Sequence, residues 1–172
     1  EEDGKEVLHD VNLEIPYGMK LGIMGETGSG KSALLKTLSD IIPDYRGEIF
    51  LGCKNIREYD IEDLRSQFSY VFQDVFLFSD TIDANIAFSR PNAAFSEIVA
   101  AAKFAQAHKF IRTMTEGYET IVGEKGVGLS GGQKQRISVA RALIKNSPIP
   151  ILRKETIRLM KLVEKKFATL ST

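Results

Sequence analysis

Residues 25–32 read Gly-Glu-Thr-Gly-Ser-Gly-Lys-Ser. This is the phosphate-binding pattern G-x-x-x-x-G-K-[ST], and nothing else in the chain constrains its fold as tightly. Glycines let successive backbone N–H groups converge on an anion. Lys31 adds a point positive charge for β- and γ-phosphates, and the Ser32 hydroxyl suits Mg²⁺. The flanks fit the same picture. Residues 20–24 (Lys-Leu-Gly-Ile-Met) read as a short buried strand and residues 32–38 as a helix, so a phosphate would sit at a helix N-terminus. A plain glycine-rich turn that happens to precede Lys-Ser is the alternative. Gly25, Glu26, Thr27, Gly28, Ser29, Gly30, Lys31 and Ser32 are the nucleotide-binding candidates.

The rest of the chain has the composition of an ordinary globular domain. It has 172 residues, 43% hydrophobic and 27% charged, enough for one domain with a core. Lys+Arg and Asp+Glu are both 23, so no global charge points to nucleic acid as a partner. Cys53 is the only cysteine, which excludes an internal disulfide and points to a reducing, cytosolic setting. No apolar run approaches a membrane span, and no signal peptide is visible. A start at Glu1 rather than Met reads as a fragment or an excised domain.

Along the chain, residues 8–15 alternate apolar and polar like a half-buried strand, and Pro16-Tyr17-Gly18 turns into the strand before the phosphate loop. The helix after the loop fades near Asp40, and Pro43 excludes its continuation. Residues 48–51 and 54–56 flank Gly52-Cys53 as a short hairpin. Residues 67–72 are aromatic-rich and β-prone. Residues 79–88 and 96–114 read as helices, with Ser96 an N-cap and Pro91-Asn92 a break between them. Ile98, Ala101, Ala102, Ala105, Ile111 and Met114 form the apolar face of the second.

A second motif narrows the reading. Residues 129–136 read Leu-Ser-Gly-Gly-Gln-Lys-Gln-Arg, and Ser130 can cap a helix running from Gly132 to about Ile144. The free N–H groups and the dipole of that helix make a second anion site at Ser130, Gly131, Gly132 and Gln133. By itself Ser-Gly-Gly is a common way into a helix. Far downstream of a phosphate loop, the pair resembles the nucleotide-binding domain of an ATP-binding cassette (ABC) protein. Residues 70–74 (Tyr-Val-Phe-Gln-Asp) resemble the family's Q-loop, residues 75–86 the segment that follows it in exporter-type members, and residues 119–128 the exporter X-loop. The resemblance spans about residues 5–148.

The resemblance implies an α/β fold: a P-loop NTPase core with a parallel sheet, an N-terminal antiparallel β part and an inserted helical subdomain. It divides one domain into a P-loop and β core (1–78), a helical subdomain (79–128), a signature helix (129–148) and a divergent basic tail (149–172). It implies ATP and Mg²⁺ as ligands, and a head-to-tail dimer in which two such domains sandwich two ATP molecules. In that arrangement Lys31 and the loop amides cradle the phosphates, and Ser32 and Gln73 hold Mg²⁺. Gln73 also orients the attacking water and reports the γ-phosphate to a transmembrane domain, which makes Gln73 and Lys31 the catalytic candidates. Ser130 and Gly132 close on the nucleotide of the second subunit, and Glu124 meets the coupling helices of the transmembrane part. The resemblance also places such a domain at the cytoplasmic face of a membrane. Read without it, Gln73 and Glu124 are exposed loop polars.

Two departures from the family pattern stand out. The aromatic residue that stacks on adenine lies upstream of about where this sequence begins, and Tyr17 is in the wrong place to replace it. The second departure is chemical. The family continues into an apolar strand ending in Asp-Glu or Asp-Asp, whereas this chain reads Pro148-Ile-Pro150-Ile-Leu-Arg153-Lys154. Pro150 lacks an N–H and is a poor central-strand residue. Arg153 and Lys154 can neither ligate Mg²⁺ nor take a proton from water, and Glu155 comes one or two positions late. His9 and His108, the only histidines, lie too far upstream to serve as the family's switch histidine. Residues 152–170 read as an amphipathic helix with a basic face, packed on the core or, less simply, on a membrane surface or partner. A truncated, frameshifted, chimeric or degenerate gene product would each explain the join.

The expected function is that of the ATP-binding domain of an ABC exporter, with hydrolysis by this chain alone weak or absent. The alternatives are a non-transport ABC ATPase, against which the exporter-like loops and zero net charge argue, and a non-hydrolysing nucleotide-binding regulatory module.

Overall fold

The computed structural model describes residues 8–38, 44–71, 75–123 and 128–152. Gln73, Asp40, Pro43, Glu124, Arg153, Lys154, Glu155 and the amphipathic tail therefore lie outside the described residues. The chain divides into two compact units, Glu1–Ser66 and Gln67–Thr172.

In the first unit, α1 (Lys31–Leu38) follows the phosphate loop as the sequence pattern requires. The hairpin also forms: β1 (Phe50–Leu51) pairs antiparallel with β2 (Lys54–Asn55) across Gly52-Cys53. Gly52 takes the left-handed φ of 63° that so tight a turn demands. A 3₁₀ turn (Ile56–Glu58) and α2 (Ile61–Ser66) complete the unit. The Asp60 carboxylate starts α2 by accepting from Glu62 N at 2.9 Å.

The two strands expected at 8–15 and 20–24 are not formed. Neither segment joins a ladder, and Val11, Leu13, Ile15, Met19, Leu21 and Met24 are exposed. Alternation specifies which face a strand would bury, but a strand exists only by pairing, and no described neighbour supplies the hydrogen bonds.

In the second unit, β3 (Phe68–Val71) pairs in parallel with β6 (Ile149–Leu152). The helix α6 (Gly131–Lys145) leads back to β6 and packs on β3. The Lys145 ammonium donates to Phe68 O at 2.5 Å, which pins the C-terminal turn of α6 to the start of β3. Between β3 and α6 lies the inserted helical part. It comprises α3 (Ile82–Ala87), α4 (Phe95–Phe104) and α5 (His108–Ile111), joined to a short antiparallel pair, β4 (Asp80–Thr81) with β5 (Ile121–Val122). This is a P-loop NTPase-like α/β fold with a parallel pair, antiparallel strands near the N-terminus and a helical insertion. The main buried cluster belongs to this unit, with Ile82, Ile86, Ile111, Val122, Ile137 and Ala140 fully enclosed. Each large apolar side chain buried there stabilises by about 1.5–3 kcal/mol.

Three local expectations are corrected. The helix expected at 79–88 starts only at Ile82, because Asp80 and Thr81 pair with β5 and Thr81 Oγ1 caps the helix by accepting from Ala84 N at 3.3 Å. The helix expected at 96–114 is two helices, and Ser96 is not its cap. Position 94 is the N-cap, and Glu97 reaches back to accept from Ala94 N at 2.8 Å and from Arg90 at 2.6 Å. These bonds hold the Glu97 carboxyl below its ordinary range. The break comes at Gln106, in left-handed backbone with φ 57°. There Gln106 N donates to Lys103 O and Ala107 N to Ala102 O, the paired bonds that close a helix C-terminus. The apolar face nevertheless faces the core, with Ile98, Ala101, Ala102, Ala105 and Ile111 buried.

Pro150 does lie in a strand, opposite Ser69. Ile149 N donates to Gln67 O, and parallel ladders bond one neighbour through alternate residues. The missing N–H of Pro150 therefore falls on the side away from β3, where the ladder does not need it.

Candidate functional site

The phosphate loop is built from backbone conformation. Glu26 O accepts from Ser29 N at 3.2 Å to close a turn. Gly28 at φ 85° and Gly30 at φ 82° then take left-handed conformations on either side of Ser29. An alternation of this kind aims successive amides into an anion-holding concavity. At Gly28 an added Cβ would meet nothing within 4 Å, so it is the backbone angle that calls for glycine there. The bond from Leu34 N to Gly30 O, 2.9 Å, runs into the first turn of α1, whose remaining leading N–H groups have no intrahelical acceptor. No acidic residue occupies that turn, so no carboxylate competes with an incoming anion.

Lys31 folds back onto the loop. Its ammonium donates to Gly25 O at 2.9 Å, to Ser29 Oγ at 3.1 Å and to Glu26 O. All three donors are thus spent on neutral, exposed acceptors. A phosphate oxygen makes a stronger, charge-assisted bond and leaves those acceptors to water, so the exchange favours the anion. Glu26, Thr27 and Ser32 are exposed, with the Ser32 hydroxyl at the first turn of α1.

A second helix start has matching properties. Ser130 Oγ accepts from Gln133 N at 3.3 Å and Gln133 Oε1 accepts from Ser130 N at 2.9 Å, a reciprocal capping box. The Ser130 hydroxyl keeps its own proton to donate outward. Ser130, Gly131 and Gly132 are exposed, and an added Cβ at either glycine would meet nothing within 4 Å. The first turn of α6 is also free of acidic residues. Of the residues singled out from sequence, 25–32 come together in one loop of the first unit and 130–133 at one helix start of the second. Gln73 lies outside the described residues. Among the described residues no cluster of His, Cys, Asp and Glu could hold a metal ion.

Sequence reasoning missed a part-buried polar hub. Arg141, on α6, donates from Nε to Asn85 O at 2.8 Å, from one terminal nitrogen to Phe76 O at 3.1 Å and from the other to Asn85 Oδ1 at 2.9 Å. Its guanidinium lies 5.4 Å from the ring centre of Phe78 and 5.8 Å from that of Phe88. Burial lowers its pKa. The only sequence signal is a cation inside the apolar run Ala140-Arg141-Ala142-Leu143.

A family model described as "ABC transporter" matches residues 8–153, through β6. The "Putative multidrug export ATP-binding/permease protein YgaD" of Bacillus subtilis is 47% identical over 156 residues, covering 91% of this chain and 27% of that protein. An "ATP-dependent lipid A-core flippase 1" from Colwellia psychrerythraea is 44% identical, covering 91% of this chain and 26% of the relative. The solved structure of a bacterial Atm1-family ABC exporter with ATP bound superposes with a TM-score of 0.72 at 37% identity, over 80% of this chain and 26% of that one. The chain thus spans about a quarter of the length of the relatives it matches. No helix among the described residues is long and apolar enough to cross a membrane.

Proposed function

This chain belongs to the ABC transporter family, its likeness being to exporter-type nucleotide-binding domains, and we propose that it binds ATP to drive export through transmembrane partner helices. One observation carries the reading: left-handed Gly28 and Gly30 lead straight into an α1 whose first turn is free of acids. The amides of residues 25–32 and the Lys31 ammonium hold the phosphates, and the Ser32 hydroxyl and the Gln73 side chain hold Mg²⁺. Bound Mg²⁺ neutralises charge on the phosphate oxygens. Gln73 can both donate and accept, which suits a residue that must sense an oxyanion and orient a water. Ser130, Gly131, Gly132 and Gln133 close on the nucleotide of a second such domain in a head-to-tail dimer, so association tracks ATP.

Hydrolysis by this chain alone is weak or absent in this reading, because Arg153 and Lys154 stand where the family's acids do. A positioned general base contributes about 10²–10⁴ in rate. The same two cations favour a second reading, a nucleotide-binding module without turnover. The test is ATP binding and phosphate release by the purified chain with Mg²⁺, beside Lys31→Ala. Binding that is lost in the variant supports the site. Turnover that is lost with it would show that another acid, with Glu155 the first to examine, replaces the missing pair. Absence of binding by the unaltered chain would remove the proposal.

A further inference from the structure

We propose that the second unit holds an ordered water on the Ser147 hydroxyl, in a cleft between α6 and the β3–β6 pair, where it ties the exit of the helix to the sheet. The proposal stands apart from the nucleotide reading. Every residue that forms the cleft belongs to the second unit, and none lies in 25–32 or 129–136.

The argument starts from hydroxyls that the protein does not satisfy. Those of Tyr45, Thr120 and Ser147 are buried and have no hydrogen-bond partner among the described residues. Ser147 is 8% exposed and follows Asn146, which ends α6 in left-handed backbone at φ 52°. A serine hydroxyl commonly bonds an amide two residues on or a carbonyl three or four residues back. Here Ile149 N, two residues on, donates to Gln67 O at 2.9 Å, and Leu143 O, four residues back, accepts from Asn146 N at 3.1 Å. Pro148, the next residue, has no N–H to offer.

What separates Ser147 from the other two is the cleft it lines, together with Val139 and Leu143 of α6, Pro150 and Leu152 of β6 and Ser69 of β3. Neither Tyr45 nor Thr120 borders it. Ser69 and Pro150 sit opposite each other in the ladder, and two small side chains at one level leave a gap that larger ones would fill. The gap has room for about one water. Apolar walls alone would keep such a space dry, but an enclosed hydroxyl without a partner makes water the favoured occupant. A buried water uses about two to four polar partners. Ser69 is a second hydroxyl-bearing residue on the cleft, and Ala142 and Leu143 belong to the last turn of α6, whose carbonyls lack donors within the helix. The water therefore joins groups from the helix end and the strand that no direct bond connects.

A crystal structure of the full chain, with urea denaturation of the unaltered protein, Ser147→Ala and Thr120→Val, tests this. A water is expected about 2.7–3.0 Å from Ser147 Oγ. Ser147→Ala should then lower the folding equilibrium constant about two- to tenfold, because the water loses its anchor and its other partners lose the bridge. Were the hydroxyl dry and unbonded, the same substitution would raise that constant, so the sign of the change decides. Thr120→Val removes a hydroxyl outside the cleft and is expected to leave the constant unchanged or raised. A cleft that is well ordered and dry, or a Ser147→Ala variant as stable as the unaltered chain or more so, overturns the proposal. A loss in Thr120→Val equal to that in Ser147→Ala overturns it as well, by assigning the effect to any buried hydroxyl.

Discussion

At the scale of single residues, Lys31 and Arg141 show two uses of a cation. Lys31 is half-buried and bonded only to exposed loop acceptors, bonds that it exchanges for a phosphate in the proposed nucleotide site. Lys31→Ala is expected to weaken ATP binding by at least about tenfold and to change stability by less than about 0.5 kcal/mol, read by titration and by thermal melting. Arg141 is committed to its acceptors. Asn85→Ala removes the side chain that pairs with Phe78 N, Phe78 O, Thr81 O and one Arg141 nitrogen, and should cost about 2–3 kcal/mol in urea denaturation. His108 adds a pH dependence. Its Nδ1 lies 2.8 Å from Tyr118 Oη, and burial, with Lys103 and Arg112 nearby, lowers its pKa. The folded state thus prefers the neutral ring. The stability this supplies is full above the ordinary value of 6.5 and is lost as pH falls through the lowered folded value. Melting temperature should therefore drop on acidification below 6.5, and His108→Gln should flatten that part of the profile. The loop that holds Lys31 was legible in the sequence because its partners are local. Arg141 was not, because its main partner is 56 residues away.

At the scale of elements, helix ends decide most of the differences between pattern and structure. The signature helix begins where its residues say it should, because Ser130 and Gln133 form a capping box four residues long. Ser130→Ala is expected to cost about 1 kcal/mol, measured by chemical denaturation. The inserted helix was harder to read. Its apolar spacing continues through residues 105–107 while the backbone reverses at Gln106. Nothing in a glutamine announces a left-handed residue, which a glycine would have done. Gln106→Gly should accordingly raise stability by about 0.5–1 kcal/mol, and a fall would mean that the Gln106 side chain holds contacts of its own. Gly123 is the opposite case. It has φ 93°, and an added Cβ would lie 2.9 Å from Phe78 O, so Gly123→Ala should disturb the β4–β5 pair and the segment held by Asn85.

At the scale of the whole molecule, protection from exchange should be uneven. The main buried cluster runs from Val71 to Ile144, whereas residues 8–24 join no ladder. Amides of α3 and α6 are expected to exchange slowest and those of 8–24 fastest, read by hydrogen exchange without nucleotide. Slow exchange throughout 8–24 would show that those residues find strand partners in solution.

The sequence alone determined what depends on neighbours along the chain. The phosphate loop, the hairpin at Gly52-Cys53, the capped signature helix and the apolar face of the helical insertion all follow from residues within a turn or two of one another. Tertiary structure decided what depends on distant partners. It left the alternating segment at 8–15 without a ladder, admitted Pro150 into a strand through the side on which its missing N–H falls, and joined Arg141 to Asn85. Pairing and buried hydrogen bonds are made between segments, and a pattern within one segment records only its own half of them.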